Sequence, residues 1–335
     1  MLSKLGFVIN IFKNHTFRRA LEETTAFAPA NIALVKYWGK RDKELNLPVT
    51  DSLSIDLGEL GSETSLELFP EDEVVLNGKI LDKNDPFSIK VMEFVNLFRD
   101  AYDKALDKGS PGLHIETYNN IPTGAGVASS ASGFAALTKA LNQFFQLDLT
   151  DREMSLIANI GSGSASRSIF KGFVYRHAGT DPNGMDSYSE PLPCTWPELR
   201  IGLITVSAKA KRVSSREGME RTVATSPLYK AWPQQVAQDM EKMLKAIKEK
   251  DFELLGSTAE SNALAMHECM KASTPPLIYF EPETITIINK VQKLRQDGLQ
   301  LYLTIDAGPN VKLLFLEKDT GTIKNEFPDM RVVNR

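Results

Sequence analysis

The run Leu113-His-Ile-Glu-Thr-Tyr-Asn-Asn-Ile-Pro-Thr-Gly-Ala-Gly-Val-Ala-Ser-Ser-Ala131 changes its periodicity twice. Its first six residues alternate apolar and polar, the pattern of a half-buried strand. Pro122 to Ala128 are small or turn-forming, and Gly124 and Gly126 punctuate them. Beyond Ser129, Phe134, Leu137, Leu141, Phe144 and Phe145 recur at helical spacing. A strand, a small-residue loop and a helix start in succession leave free backbone N–H groups for an anion, and the helix dipole adds to them. Ser129, Ser130 and Ser132 add hydroxyls for phosphate or for Mg²⁺, Ser130 being the candidate for the metal. The other reading of such a loop is a turn packed against a neighbour. No Walker A sequence occurs, and Ser129 stands where a dinucleotide fingerprint has its last glycine.

Working outward, Phe27 to Leu81 is mostly strand-like, with the hairpin pair Asn77-Gly78 near its end. Phe87 to Ala105 is amphipathic and helical, and a further helix starts at Thr150, where Glu153 completes a capping box. Pro191, Pro193 and Pro197 cluster before the apolar strand Ile201 to Val206 and suggest a boundary there. Beyond it come helices around Val236 to Ile247 and Phe252 to Met270, then strands Leu301 to Ile305 and Val311 to Leu316. Hairpins mixed with helices favour an α+β fold over a regular doubly wound sheet.

At 335 residues the chain exceeds what most single cores support, so two domains are expected. It is 42% hydrophobic and 24% charged with a net charge of −4, which argues against a nucleic-acid scaffold but leaves room for a local basic cleft. Cys194 and Cys269 lie far apart without metal-type spacing, which suits a reducing, cytoplasmic setting. The apolar stretch Leu5 to Phe12 is too short to span a bilayer. With Lys13, Arg18 and Arg19 after it, residues 1–26 read as either a targeting segment or a nonessential extension.

Three more segments suit anion chemistry. Gly161-Ser-Gly-Ser-Ala-Ser-Arg-Ser168 leads small residues to one arginine, and Arg167 suits a carboxylate or phosphate bidentately. Asn31 to Lys40 is an apolar strand ending in Lys36, Tyr37, Trp38 and Lys40; solvated lysines would be the ordinary reading. Asp306 stands at the end of an apolar strand, where a turn role comes first and catalysis second. Arg216 and Met219, in Val213-Ser-Ser-Arg-Glu-Gly-Met219, are a weaker anion-binding pair. The histidines are scattered, and His267 has no metal-ligand spacing.

Together these segments resemble the diphosphomevalonate decarboxylase family of the GHMP kinase superfamily, over about Phe27 to Leu316. Pro122 to Ala131 looks like the superfamily phosphate loop, with Val127 for the commoner leucine. Asn31 to Lys40 with Asn46-Leu-Pro48, Gly161 to Ser168, and Thr304-Ile-Asp-Ala-Gly-Pro-Asn310 resemble the decarboxylases in particular. Ser166 replaces a common cysteine, and Asp51 puts an extra acid near the expected cleft. Residues before Phe27 and after Leu316 have no family counterpart in this reading.

The resemblance implies an extension (1–26), a ribosomal-protein-S5-like N-terminal half (27–195) and a ferredoxin-like C-terminal half (196–335), with the site in the cleft between them. It implies ATP with Mg²⁺ as co-substrate, mevalonate 5-diphosphate as small-molecule substrate, no nucleic-acid or membrane partner, and a homodimer. Catalytic roles fall to Asp306, Lys36 and Arg167. Substrate contacts fall to Tyr37, Trp38, Lys40, Ser164, Arg216 and Met219, and ATP contacts to Gly124, Gly126, Ala128, Ser129, Ser130 and Ser132. A mevalonate 3-kinase or a decarboxylase of the monophosphate is the nearest alternative.

Overall fold

The computed structural model describes residues 2–106, 112–121, 129–209 and 211–333. The chain opens with α1 (Lys4–Phe12), then β1 (Glu23–Val35) and the short hairpin β2 (Lys40–Asp42) and β3 (Leu47–Pro48). The long β4 (Ser52–Phe69) is followed by β5 (Glu73–Leu76), β6 (Lys79–Ile80), α2 (Pro86–Leu106) and β7 (Gly112–Asn119). Three helices, α3 (Ser129–Phe144), α4 (Asp151–Gly161) and α5 (Ala165–Ser168), lead to β8 (Phe173–Arg176) and β9 (Ser189–Pro191).

These strands form one sheet in the order β6-β5-β7-β4-β8-β9, with β1 also paired to β4. The length of β4 lets it serve three neighbours: β1 runs along it, Ser62 to Phe69 pair with β7, and Ser52 to Ile55 pair with β8. The Asn77-Gly78 hairpin is present, with positive φ at both residues, which is the two-residue turn that matches strand twist. Thr150 and Glu153 form the capping box read from the sequence.

The second half contains β10 (Leu199–Ile204), α6 (Ser215–Thr225), α7 (Trp232–Glu249), α8 (Phe252–Lys271), α9 (Pro282–Gln296), β11 (Tyr302–Ile305), β12 (Val311–Leu316), α10 (Thr320–Glu326) and β13 (Arg331–Val333). Its antiparallel sheet has the order β11-β12-β10-β13. Helices α7 and α8 pack on β1, so one core cluster joins Ile32, Leu34 and Ile55 of the first sheet to Trp232, Met243 and Leu255 of those helices. Burial of this apolar surface holds the two halves together.

Three features of the structure were not read from the sequence. Residues 4–12 precede the first sheet but are not peripheral to the fold. Phe7, Val8, Ile11 and Phe12 of α1 are at most 3% exposed and belong to the same core as α2 and α3. The end of the chain past Leu316 is also structured, for β13 pairs with β10. Helix α9 gave no helical signal because Thr284-Ile-Thr-Ile-Ile288 is β-branched and imitates a strand. Pro282 at its first turn, the Glu281–Thr284 cap and the buried stripe Thr284, Ile287, Ile288 and Val291 override that propensity.

Candidate active site

Strand β1 ends at Val35, and the next side chain, Lys36, is buried. Its backbone N–H donates to Asn262 Oδ1 (2.8 Å), while its Nζ donates to the Ala33 carbonyl (2.8 Å) and to Asp306 Oδ1 (2.7 Å). Asp306 follows β11 directly. Its other carboxylate oxygen lies 3.4 Å from Lys312 Nζ, and its side chain is 32% exposed. His267 of α8 fixes the backbone of this turn, donating from Nε2 to the Asp306 carbonyl (3.1 Å). Burial, reinforced by the charge of Lys36, lowers the imidazole pKa to about 3, so the ring is a neutral donor rather than an acid.

The charges of this cluster decide its ionisation. Desolvation alone would raise the Asp306 pKa, but Lys36 and Lys312, with the Lys36 hydrogen bond, hold the carboxyl far below the usual carboxylate range. Lys36 is lowered to about 8, chiefly by desolvation and against the pull of Asp306. The pair is therefore ionised at neutral pH, a carboxylate accepting from an ammonium whose proton is unusually labile.

Arg167, on α5 and 3% exposed, lies in the same pocket. Its NH1 donates to Ser52 Oγ (2.7 Å) and its NH2 reaches Asn31 Oδ1 (3.4 Å), while Asn31 Nδ2 donates to Ser168 Oγ (2.7 Å). Its buried Nε has no hydrogen-bond partner among the described residues, an arrangement suited to an anionic ligand. The glycine–serine turn lies against the Tyr37 ring, and a Cβ on Gly163 would come within 2.6 Å of the Tyr37 hydroxyl. Behind it the buried Arg176 stacks on Tyr37 (4.6 Å to the ring centroid) and donates to the carbonyls of Gly163 (2.6 Å) and Asn46 (3.2 Å). Asn46 in turn accepts from Lys40 Nζ (2.6 Å). Burial first, then the neighbouring Arg216, lowers Lys40 to about 8.

Lys36, Asp306, Arg167, Asn31, Gly163, Tyr37, Asn46 and Lys40 border one cavity of about 360 Å³ between the halves. Of the residues read from the sequence, it brings together Lys36, Tyr37, Trp38, Lys40, Ser130, Ser164, Arg167, Arg216, Met219 and Asp306. Gly124, Gly126 and Ala128 lie outside the described residues. Ser129 is exposed at the start of α3 and does not line this cavity. Ser132 is a correction. It is fully buried and bonded to Ser62 Oγ (2.7 Å) and the Ser129 carbonyl (3.2 Å), so it ties α3 to β4 instead of facing the cavity. Asp51 also turns away from the cleft, accepting from the Tyr175 hydroxyl and from Ala178 N–H (2.6 Å).

The sequence reading missed Lys90, Lys211 and Lys312. Lys90 and Lys211 line the cavity, and Lys211 adds to the positive field on Asp306. Lys312 carried a usable signal, a single lysine inside the wholly apolar run of β12, where a buried cation requires a partner. No group of three or more His, Cys, Asp or Glu side chains that could hold a metal occurs among the described residues.

A cleft lined by lysines and arginines around one ionised aspartate defines an enzyme acting on a multiply anionic substrate. The family is given by comparison. Residues 28–189 match the diphosphomevalonate decarboxylase-like N-terminal domain, and residues 201–331 match the mevalonate 5-diphosphate decarboxylase C-terminal domain. The latter match extends past Leu316. The diphosphomevalonate decarboxylase of Candida albicans is 39% identical over 307 residues, covering 88% of this chain and 85% of that one. The mevalonate diphosphate decarboxylase of Staphylococcus aureus superposes with a TM-score of 0.86 at 34% identity, covering 93% of this chain and 95% of that one. A solved complex of MDDEF with MVAPP, AMPPCP and magnesium gives a TM-score of 0.84 at 37% identity over 92% and 95% of the two chains. The chain belongs to the diphosphomevalonate decarboxylase family, with the two-domain α+β architecture of GHMP kinases.

Proposed function

We propose that this cleft carries out the family reaction: mevalonate 5-diphosphate and ATP give isopentenyl diphosphate, ADP, phosphate and CO₂. The observation that carries this reading is the ionised Lys36–Asp306 pair beside Arg167 in one cavity, contributed by both halves. A tertiary hydroxyl is a poor leaving group, and its phosphate ester is a good one. Asp306 orients the C3 hydroxyl and accepts its proton as the oxygen bonds to the γ-phosphorus and the bond from that phosphorus to the departing ADP breaks. The C3–O bond then breaks toward phosphate, and the electrons of the bond to the carboxylate form the alkene as CO₂ departs.

Arg167 holds the substrate carboxylate through its fork and its free Nε, while Lys36 offsets charge gathering at the transferred phosphoryl group. Tyr37, Lys40, Ser164, Arg216 and Met219, with Trp38 beneath them, line the diphosphate side. By the family resemblance, Ser129 and Ser130 fall to the nucleotide, together with the glycine-loop residues outside the described range. Magnesium suits the donor set at Ser130, a hydroxyl beside Ser162 Oγ (3.5 Å) that supplements nucleotide phosphate oxygens and water. Bound there, it would supply charge neutralisation for the phosphates.

The domain division at about residues 195–196 is supported by the separate sheets and the two family matches on either side. A cytoplasmic setting is supported by two unpaired cysteines. No helix among the described residues is long and apolar enough to cross a membrane. The homodimer follows from the family resemblance alone. A coupled ADP assay with CO₂ detection tests the reaction. Equimolar ADP and CO₂ from the diphosphate support it, ADP without CO₂ indicates a 3-kinase, and preference for the monophosphate indicates the other decarboxylase.

A further inference from the structure

A second, smaller cavity of about 90 Å³ borders the first along Lys90, Gly161 and Arg216. Its outer wall is α1, through Lys4, and its remaining charged group is Glu93. Three cations from three elements thus surround one small space, against one carboxylate. Lys90 is fixed over the Phe134 ring at 4.7 Å, and burial, with the nearby charges of Arg216 and Lys4, lowers its pKa. The backbone of Lys4 is held as well. Helix α1 is anchored by Phe7, Val8, Ile11 and Phe12, Ser3 caps it by accepting from Gly6 N–H, and Lys4 N–H donates to Glu44 of the hairpin carrying Lys40 (3.4 Å). The family-model match begins at residue 28, after this wall.

We propose that the small cavity receives the outer phosphate of the substrate's diphosphate, and that Lys4 is a specificity-determining residue supplied by the N-terminal helix. The proposal rests on the diphosphate reading given above. Three cations against the single carboxylate of Glu93 leave an excess of positive charge, and a phosphate among them relieves that repulsion while gaining charge-assisted hydrogen bonds. A monophosphate does not extend into this space, so Lys4 discriminates by reach. It acts on binding, since it lies away from the Lys36–Asp306 pair.

The test is Lys4→Met, which keeps the aliphatic stem and removes the charge, with Lys4→Arg as the conservative partner. In Lys4→Met, KM for the diphosphate rises about fivefold or more, kcat stays within about twofold, and KM for the monophosphate is unmoved. Lys4→Arg restores the diphosphate KM. Binding of inorganic pyrophosphate, measured by calorimetry on the whole protein, weakens in parallel while inorganic phosphate binding changes less. An unchanged diphosphate KM, or equal rises for both substrates, overturns the proposal. If the wild-type chain releases no CO₂ from the diphosphate, the functional reading fails instead, and the pyrophosphate comparison still decides on Lys4.

Discussion

Lys36 Nζ stands 2.7 Å from Asp306 Oδ1 although 270 positions separate the two residues. One follows the first strand of the N-terminal sheet and the other follows β11 of the C-terminal sheet. Their contact makes a reactive pair out of two halves, and removing the aspartate has a definite expected outcome. Asp306→Ala lowers kcat by about 100-fold or more, the scale of lost general-base catalysis, while nucleotide affinity stays within about threefold. CO₂ release and nucleotide titration measure the two quantities. Near-normal turnover would remove Asp306 from the mechanism.

The basic limb of the pH profile is set by the same pair. In the free enzyme Lys36 is cationic below about 8 and neutral above it. As pH rises through that value the ammonium is lost, and with it the attraction for the anionic substrate, so kcat/KM falls above about pH 8. Lys40, also near 8, titrates in the same range. Measuring the limb in Lys40→Met separates them, since it persists if Lys36 is its source. A flat profile to pH 10 contradicts this assignment.

Arg167→Lys keeps a positive charge but loses the fork that reaches Ser52 and Asn31 and that, in the proposed function, holds the substrate carboxylate. Loss of charge-assisted hydrogen bonds worth about 1.5–3 kcal/mol lowers kcat/KM roughly 10- to 100-fold. Steady-state kinetics at varied substrate decide this, and wild-type values in the lysine variant would show that the fork is not used.

Phe7→Ala removes a wholly packed ring from α1 and destabilises the protein by about 3 kcal/mol or more. Thermal melting checks it. An unchanged midpoint would mean that α1 does not contribute to the core as its burial indicates.

How far the sequence revealed these features depended on whether a signal was local. Lys36, Arg167 and Asp306 lie in segments whose small or apolar neighbours make a charged residue conspicuous, and the cavity brings all three together. The Asn77-Gly78 turn and the Thr150 cap were legible because four residues or fewer determine them. Ser132 was misread since a hydroxyl after a glycine loop looks the same whether it faces a phosphate or Ser62; only the helix rotation decides. The packing of helix α1 was hidden for a related reason. Its apolar stretch shows no partner until the matching apolar surface of α2 and α3 is in place. In α9, β-branched residues concealed a helix whose stability comes from its caps and tertiary packing.

The buried guanidinium of Arg176 has a consequence for engineering. Because it donates to the main chain of Gly163 and of Asn46 at once, the turn leading to Arg167 and the hairpin carrying Lys40 are tied to one anchor. Grafting either segment from a relative without the other, or without the arginine between them, would leave the two ends of the substrate measured by mismatched rulers.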